Sequence, residues 1–236
     1  MKAVFLDVGG TLWPDIIPTD PHRIRRVEVT LGPSNEHRAA EVCLALDAAA
    51  RDLERATATL EQDTLGLIQG TLNRLGIDAE RELADAVRRA MIPPASITRY
   101  FDGTPELLAA LKRAGLCVVA VSNTSWRGSE DNAADFERAG LGDYFDGLVT
   151  SLDAGFRKPD PRIFEAAAAI SKVDPRDTVM VGNSERNDVE PAVRLGMRAV
   201  LVAIEDPVPS FTQADAVVTS LHELRDLLLS WSGRDA

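Results

Sequence analysis

The chain holds 236 residues, 45% of them hydrophobic, with two cysteines and a formal net charge of −11. That is enough apolar side chain for one large core, or a core with a smaller insert, while the acidic balance supplies no field to gather nucleic-acid phosphates. Neither Cys43 nor Cys117, the latter inside the apolar run Leu116 to Val121, suggests a disulfide framework, and no stretch of about 18 apolar residues suggests a membrane span.

In chain order, short apolar runs rich in β-branched residues predict strands over Ala3 to Leu6, Cys117 to Val121, Gly147 to Thr150, Thr178 to Val181, Ala199 to Val202 and Ala216 to Val218. Most lack strict alternation, as expected of strands buried on both faces. Helical patterns fall between them: Pro105 to Ala114 closing at Gly115, Asn132 to Ala139 closing at Gly140, Pro161 to Ile170, Asp188 to Leu195 closing at Gly196, and Leu221 to Trp231. This alternation predicts an α/β fold with a Rossmann-like, mostly parallel sheet flanked by helices.

The interval from Asp15 to Arg99 breaks the rhythm. Its segments Asn35 to Leu60, Gln62 to Leu75 and Ala79 to Met91 are rich in Ala, Leu, Glu and Arg, which favour helix, and Gly32-Pro33-Ser34-Asn35 reads as a turn. The interval is far too long for a loop between the first strand and the next core helix. It predicts an inserted α-helical cap domain over 15–101, with the core formed by 1–14 and 102–236; a helical layer on one face of the sheet is the alternative. The apolar stretch at Met1 to Leu6 is too short for a signal peptide, so cytoplasmic residence is the expectation.

The strand ends carry the chemistry. The first runs into Asp7-Val8-Gly9-Gly10-Thr11, which puts a carboxylate beyond a buried strand and follows it with glycines that let the backbone approach a ligand. The second ends in Ser122-Asn123-Thr124, a hydroxyl and an amide at the same edge. After the third come Arg157-Lys158-Pro159-Asp160-Pro161, and after the fourth Asn183-Ser184-Glu185-Arg186-Asn187-Asp188. Singly, each has an ordinary explanation: a turn cap, a polar strand end, a solvated lysine, a helix cap.

Together, Asp7, Ser122, Lys158 and Asp188 follow one another in the order of the four motifs of the haloacid dehalogenase superfamily, which the sequence resembles over 1–14 and about 102–236. It looks like the branch with a helical cap inserted after the first strand. The resemblance implies that Asp7 attacks phosphorus to form an aspartyl-phosphate and that Lys158 neutralises charge on both. It implies that Mg²⁺ is held by Asp7, the Gly9 carbonyl, Asn183 and Asp188, and that Gly10, Ser122 and Asn123 bind the phosphoryl oxygens.

Two positions depart from the pattern. Gly9 stands where phosphatases of this family usually carry the Asp that protonates the leaving group, a residue type worth about 10²–10⁴ in rate. Asn183 stands where a metal-binding Asp is most common, which removes a formal charge from the cation site. The leading expectation is a Mg²⁺-dependent phosphatase of a small phosphorylated or anionic metabolite, acting as a monomer or homodimer without nucleic acid or membrane. The alternatives are carbon–halogen or carbon–phosphorus hydrolysis and a non-catalytic phospholigand-binding protein. Trp13, Asp15, His22, Arg23, Arg25, Arg26, Trp126 and Arg127 are near enough in sequence to reach substrate, with hinge packing and a solvated helix face as the competing explanations.

Overall fold

Ala3, Val4, Phe5 and Leu6 of β1 (Ala3–Leu6) are all buried, and they alternate between two hydrophobic cores, one on each face of the sheet. Covered on both sides, such a strand has no place for a polar side chain, hence its continuous apolar sequence. The computed structural model describes residues 1–14, 20–55, 61–93 and 99–233. With β2 (Cys117–Ser122), β3 (Gly147–Thr150), β4 (Thr178–Gly182), β5 (Arg198–Val202) and β6 (Ala216–Val218), β1 forms a wholly parallel sheet in the order β3-β2-β1-β4-β5-β6. The chain winds outward to one side of β1 and then to the other, so a crevice opens at the carboxyl ends of β1 and β4, where folds of this kind hold ligands.

The helices among the described residues are α1 (Arg23–Leu31), α2 (Ala39–Arg55), α3 (Thr64–Arg74), α4 (Arg81–Met91), α5 (Thr104–Arg113), α6 (Ser129–Arg138), α7 (Ser151–Ala154), α8 (Pro161–Ser171), α9 (Glu190–Arg194) and α10 (Leu221–Ser232). Leu107, Leu108 and Leu111 of α5 and Leu221, Leu224 and Leu228 of α10 recur at helical spacing and bury one sheet face, against Val4, Leu6, Val118 and Ala120. Ile163, Phe164 and Ala167 of α8 and Ala192 of α9 cover the other. Truncating one of these leucines to Ala costs about 2–5 kcal/mol, through lost transfer energy and the cavity left behind.

Helices α1 to α4 enclose a third cluster of their own, including Val27, Val42, Leu46, Ile68, Leu72 and Val87. The polypeptide leaves and rejoins the sheet at one place, where Phe101 N and Thr104 Oγ1 both donate to Leu12 O, at 2.9 and 3.0 Å. These helices lean on the loops after β2 and β3: Gln62 N donates to Gly155 O at 2.8 Å, Glu61 bridges Phe156, and Arg88 Nη1 donates to Trp126 O at 2.7 Å.

Several boundaries differ from those the sequence predicts. The helix expected from Asn35 begins as a 3₁₀ turn at Glu36–Arg38 and continues as α2 to Arg55, while Leu60 lies outside the described residues. The helix expected over Asp188 to Leu195 is a π-helical turn, Glu185–Val189, followed by α9. Pro191 has no N–H for the carbonyl of residue 187, so a regular α ladder cannot cross this segment. Cys43 is buried and Cys117 half-buried, and both are free thiols. No helix among the described residues is long and apolar enough to cross a membrane.

Candidate active site

Asp7 continues β1 beyond its last apolar residue, its N–H donating to Val181 O of β4 at 2.8 Å, so the backbone ladder fixes it at the crevice. Thr11 Oγ1 donates to Asp7 Oδ2 at 3.2 Å, which orients the carboxylate. The turn between them is tight: Gly10 has φ +68° and its N–H donates to Trp13 O at 2.7 Å. The resemblance offers that amide to a phosphoryl oxygen, but here the turn itself uses it.

Lys158 Nζ is the meeting point. It lies 2.6 Å from Asp7 Oδ1 and 2.6 Å from Asp188 Oδ1, and all three side chains are buried. Burial pulls the Lys158 ammonium down, but the Asp188 and Asp7 charges more than offset it and hold the group above its usual value. Asp188 is pushed up to about 6, first by burial and further by Asp7, against the opposing pull of Lys158 and the Ser184 amide. Two carboxylates facing one ammonium leave a net negative charge, which is the electrostatic setting for a cation.

The π turn after β4 delivers Asp188. Its backbone N–H donates to Ser184 O at 2.9 Å and its Oδ2 accepts from Ser184 N at 3.0 Å, folding the carboxylate back over Gly182. A Cβ at Gly182 would come within 2.6 Å of Asp188 Cβ, so only glycine fits beneath it. Asn183 lies against Gly10 in the same way, its Cγ 2.9 Å from where a Cβ would be.

Ser122 is buried at the end of β2, and Asn123 clamps Lys158 through two hydrogen bonds, Nδ2 to Lys158 O at 3.0 Å and Lys158 N to Oδ1 at 2.8 Å. The side chain of Asn123 is therefore a positioning device for the lysine. Asp7, Lys158 and Asp188 come together, and Gly9 and Gly10 belong to the turn that carries Asp7.

The cap arginines are otherwise engaged. Arg23 forms a two-point pair with Asp47, Arg26 binds Asp20 and the carbonyls of Ala90 and Ile92, and Arg25 pairs with Glu28 at the surface. Arg127 is tied to Asp135 and to Pro93 O. Trp13 packs on Phe136 at 5.1 Å between ring centroids, Trp126 packs on the α1–α4 cluster, His22 is exposed, and Asp15 lies outside the described residues. Sequence reasoning gave no role to Thr11, four residues after Asp7, to Gln62, or to Arg157 beside Lys158.

The oxygens that the resemblance assigns to a cation are hard: two carboxylates, the Gly9 carbonyl and the Asn183 amide. No group of three His, Cys, Asp or Glu side chains gathers anywhere among the described residues. This set fits Mg²⁺, which takes one or two carboxylates and keeps several waters, and does not fit a soft or all-protein metal cage.

A cattle (Bos taurus) protein named haloacid dehalogenase-like hydrolase domain-containing protein 3 is 33% identical over 153 residues, 64% of this chain and 59% of its own length. An N-acetylmuramic acid 6-phosphate phosphatase of Pseudomonas aeruginosa is 28% identical over 235 residues, 97% of this chain and 95% of its own. The crystal structure of a 2-haloacid dehalogenase from Pseudomonas syringae superposes with a TM-score of 0.65 at 23% identity, covering 98% of this chain and 99% of that one, and shows the same fold. The family model for haloacid dehalogenase-like hydrolases matches residues 1–196. With that match spanning strands β1 to β4, the helical insert and all four strand ends, the chain belongs to the haloacid dehalogenase-like hydrolase family.

Proposed function

We propose that the protein is a Mg²⁺-dependent phosphatase of a small phosphorylated metabolite, with 15–101 as its cap and 1–14 with 102–236 as its catalytic core. The observation that carries the reading is the double contact of Lys158 Nζ with Asp7 and Asp188, 2.6 Å to each. A full-length phosphatase relative supports it.

An Asp7 oxygen attacks phosphorus and the ester P–O bond breaks, leaving an aspartyl-phosphate and the substrate's alkoxide, which takes a proton from solvent. Water then attacks the same phosphorus, the acyl-phosphate P–O bond breaks, and orthophosphate leaves with Asp7 restored. Lys158 holds charge on Asp7 and on the transferring group, and the Ser122 hydroxyl donates to a phosphoryl oxygen. Asp7, the Gly9 carbonyl, Asn183 and Asp188 would hold Mg²⁺, which supplies Lewis-acid charge neutralisation at the phosphoryl group. Gly9 offers no proton to the leaving alkoxide, so substrates with good leaving groups turn over fastest.

Steady hydrolysis of p-nitrophenyl phosphate that stops with EDTA tests this reading. Metal-independent chloride release from 2-haloacids would replace it with carbon–halogen chemistry, in which the departing halide needs no proton. Binding of Mg²⁺ and a phosphate mimic without turnover on any phosphate ester would leave a phospholigand-binding protein.

A further inference from the structure

Among the described residues, Arg157 is a buried cation without a matching anion. Only 5% of its surface is exposed, and the one hydrogen bond of its side chain among the described residues runs from Nη1 to Gln62 Oε1, a neutral acceptor, at 2.9 Å. Burial holds the guanidinium below its usual value, and Glu54 opposes this only as a charge at longer range. A cation kept in the interior with so little compensation is costly unless something supplies the missing charge. Every fully buried side-chain nitrogen or oxygen among the described residues has a hydrogen-bond partner. The N–H groups of Arg157 that bond nothing therefore face the remaining slit of access, where water or a ligand can reach them.

That slit lies at the seam between the helical insert and the strand-end loops. Gln62 Nε2 donates to Thr124 O at 2.8 Å, just past Ser122 and Asn123, and Lys158, the next residue to Arg157, reaches Asp7. A monoester whose phosphoryl group sits at Asp7 must extend its leaving group away from the sheet edge, toward the helices that cover these loops.

We infer that Arg157 binds a second anionic group on the leaving-group side of the substrate. The substrates are then phosphate monoesters that also carry a carboxylate or a second phosphate. The planar guanidinium fork suits either group through paired N–H donors. The inference rests on Asp7 being the phosphoryl site.

Calorimetric binding of three probes in the presence of Mg²⁺ tests it without requiring turnover: methylphosphonate, phosphonoacetate and methylenediphosphonate. Wild-type protein should bind one or both of the probes with a second anionic group about 10- to 100-fold more tightly than methylphosphonate, and the preferred probe tells carboxylate from phosphate. Arg157→Met should bring the ratio to within about threefold, and Arg157→Lys, which keeps the charge but not the fork, should retain part of it and stands in if the Met variant does not fold. Gln62→Leu removes the seam hydrogen bond but leaves the cation, and should keep the preference. No preference in the wild type, or equal loss in Arg157→Met and Gln62→Leu, overturns the inference. An intact preference without phosphatase turnover would defeat the catalytic reading alone, whereas turnover of monoesters without preference would defeat this inference alone.

Discussion

Asn183 packs its side-chain amide onto Gly10, so that the loop after β4 and the turn after β1 close on each other with no room for a methyl group between them. A Cβ at position 10 would overlap Asn183 Nδ2 and stand 2.9 Å from Cγ, on a backbone with φ +68°. Through this contact the Asn183 amide and the turn bearing Asp7 share one geometry.

Gly10→Ala should therefore destabilise the fold by about 1–3 kcal/mol, combining left-handed strain with displacement of Asn183. Urea denaturation measures it, and an unchanged midpoint would mean that the turn relaxes freely. Mg²⁺ affinity should fall in the same variant.

The elevated Asp188 should make Mg²⁺ binding pH-dependent. Its folded value of about 6 lies above the ordinary 3.8, so without a cation this group favours the folded state below 3.8 and loses that contribution as pH rises through 6. Only the ionised form can ligate, so Mg²⁺ affinity should drop about tenfold for each pH unit below that value. Thermal melts with and without Mg²⁺ at about pH 5 and about pH 7.5 check the sign: the Mg²⁺-induced rise in Tm should be larger at the higher pH.

Gly9 is not among the glycines with positive φ, so a side chain there meets no left-handed strain. Gly9→Asp should raise kcat on alkyl phosphates toward the roughly 10²–10⁴-fold that a general acid supplies, with a much smaller gain on p-nitrophenyl phosphate. Equal kcat for wild type and variant on alkyl phosphates would mean that another group already delivers the proton.

The sheet was legible because its central strands are buried on both faces and bounded by turns, and the order of the strand-end residues marked Asp7, Ser122, Lys158 and Asp188 as a set. What stayed hidden depends on contacts across the chain. Arg157 and Gln62 are 95 positions apart, and nothing local to either shows that one is buried against the other. The π turn escaped because its cause, a proline just inside the next helix, resembles an ordinary helix start. The arginines near His22 have one composition but different surroundings, and only packing separates the half-buried Arg26 from the exposed Arg25.

Among the described residues Lys158 is the one cation paired with the two site carboxylates, and its loss leaves both buried without a countercharge. Lys158→Met should cost about 3–5 kcal/mol of stability in metal-free protein, partly restored by Mg²⁺. Chemical denaturation with EDTA and with Mg²⁺ reads both effects, and a variant as stable as wild type in EDTA would contradict the electrostatic account.

The most direct measurement is acid-quenched single turnover with a phosphate monoester, followed by mass spectrometry of the peptide containing Asp7. One phosphoryl group should appear on Asp7 and decay as orthophosphate forms, while Asp7→Asn should show neither the adduct nor turnover, a loss of about 10³-fold or more. Turnover at the wild-type rate in Asp7→Asn, with no labelled peptide in either protein, would contradict the claim that Asp7, held by Lys158, is the phosphoryl acceptor.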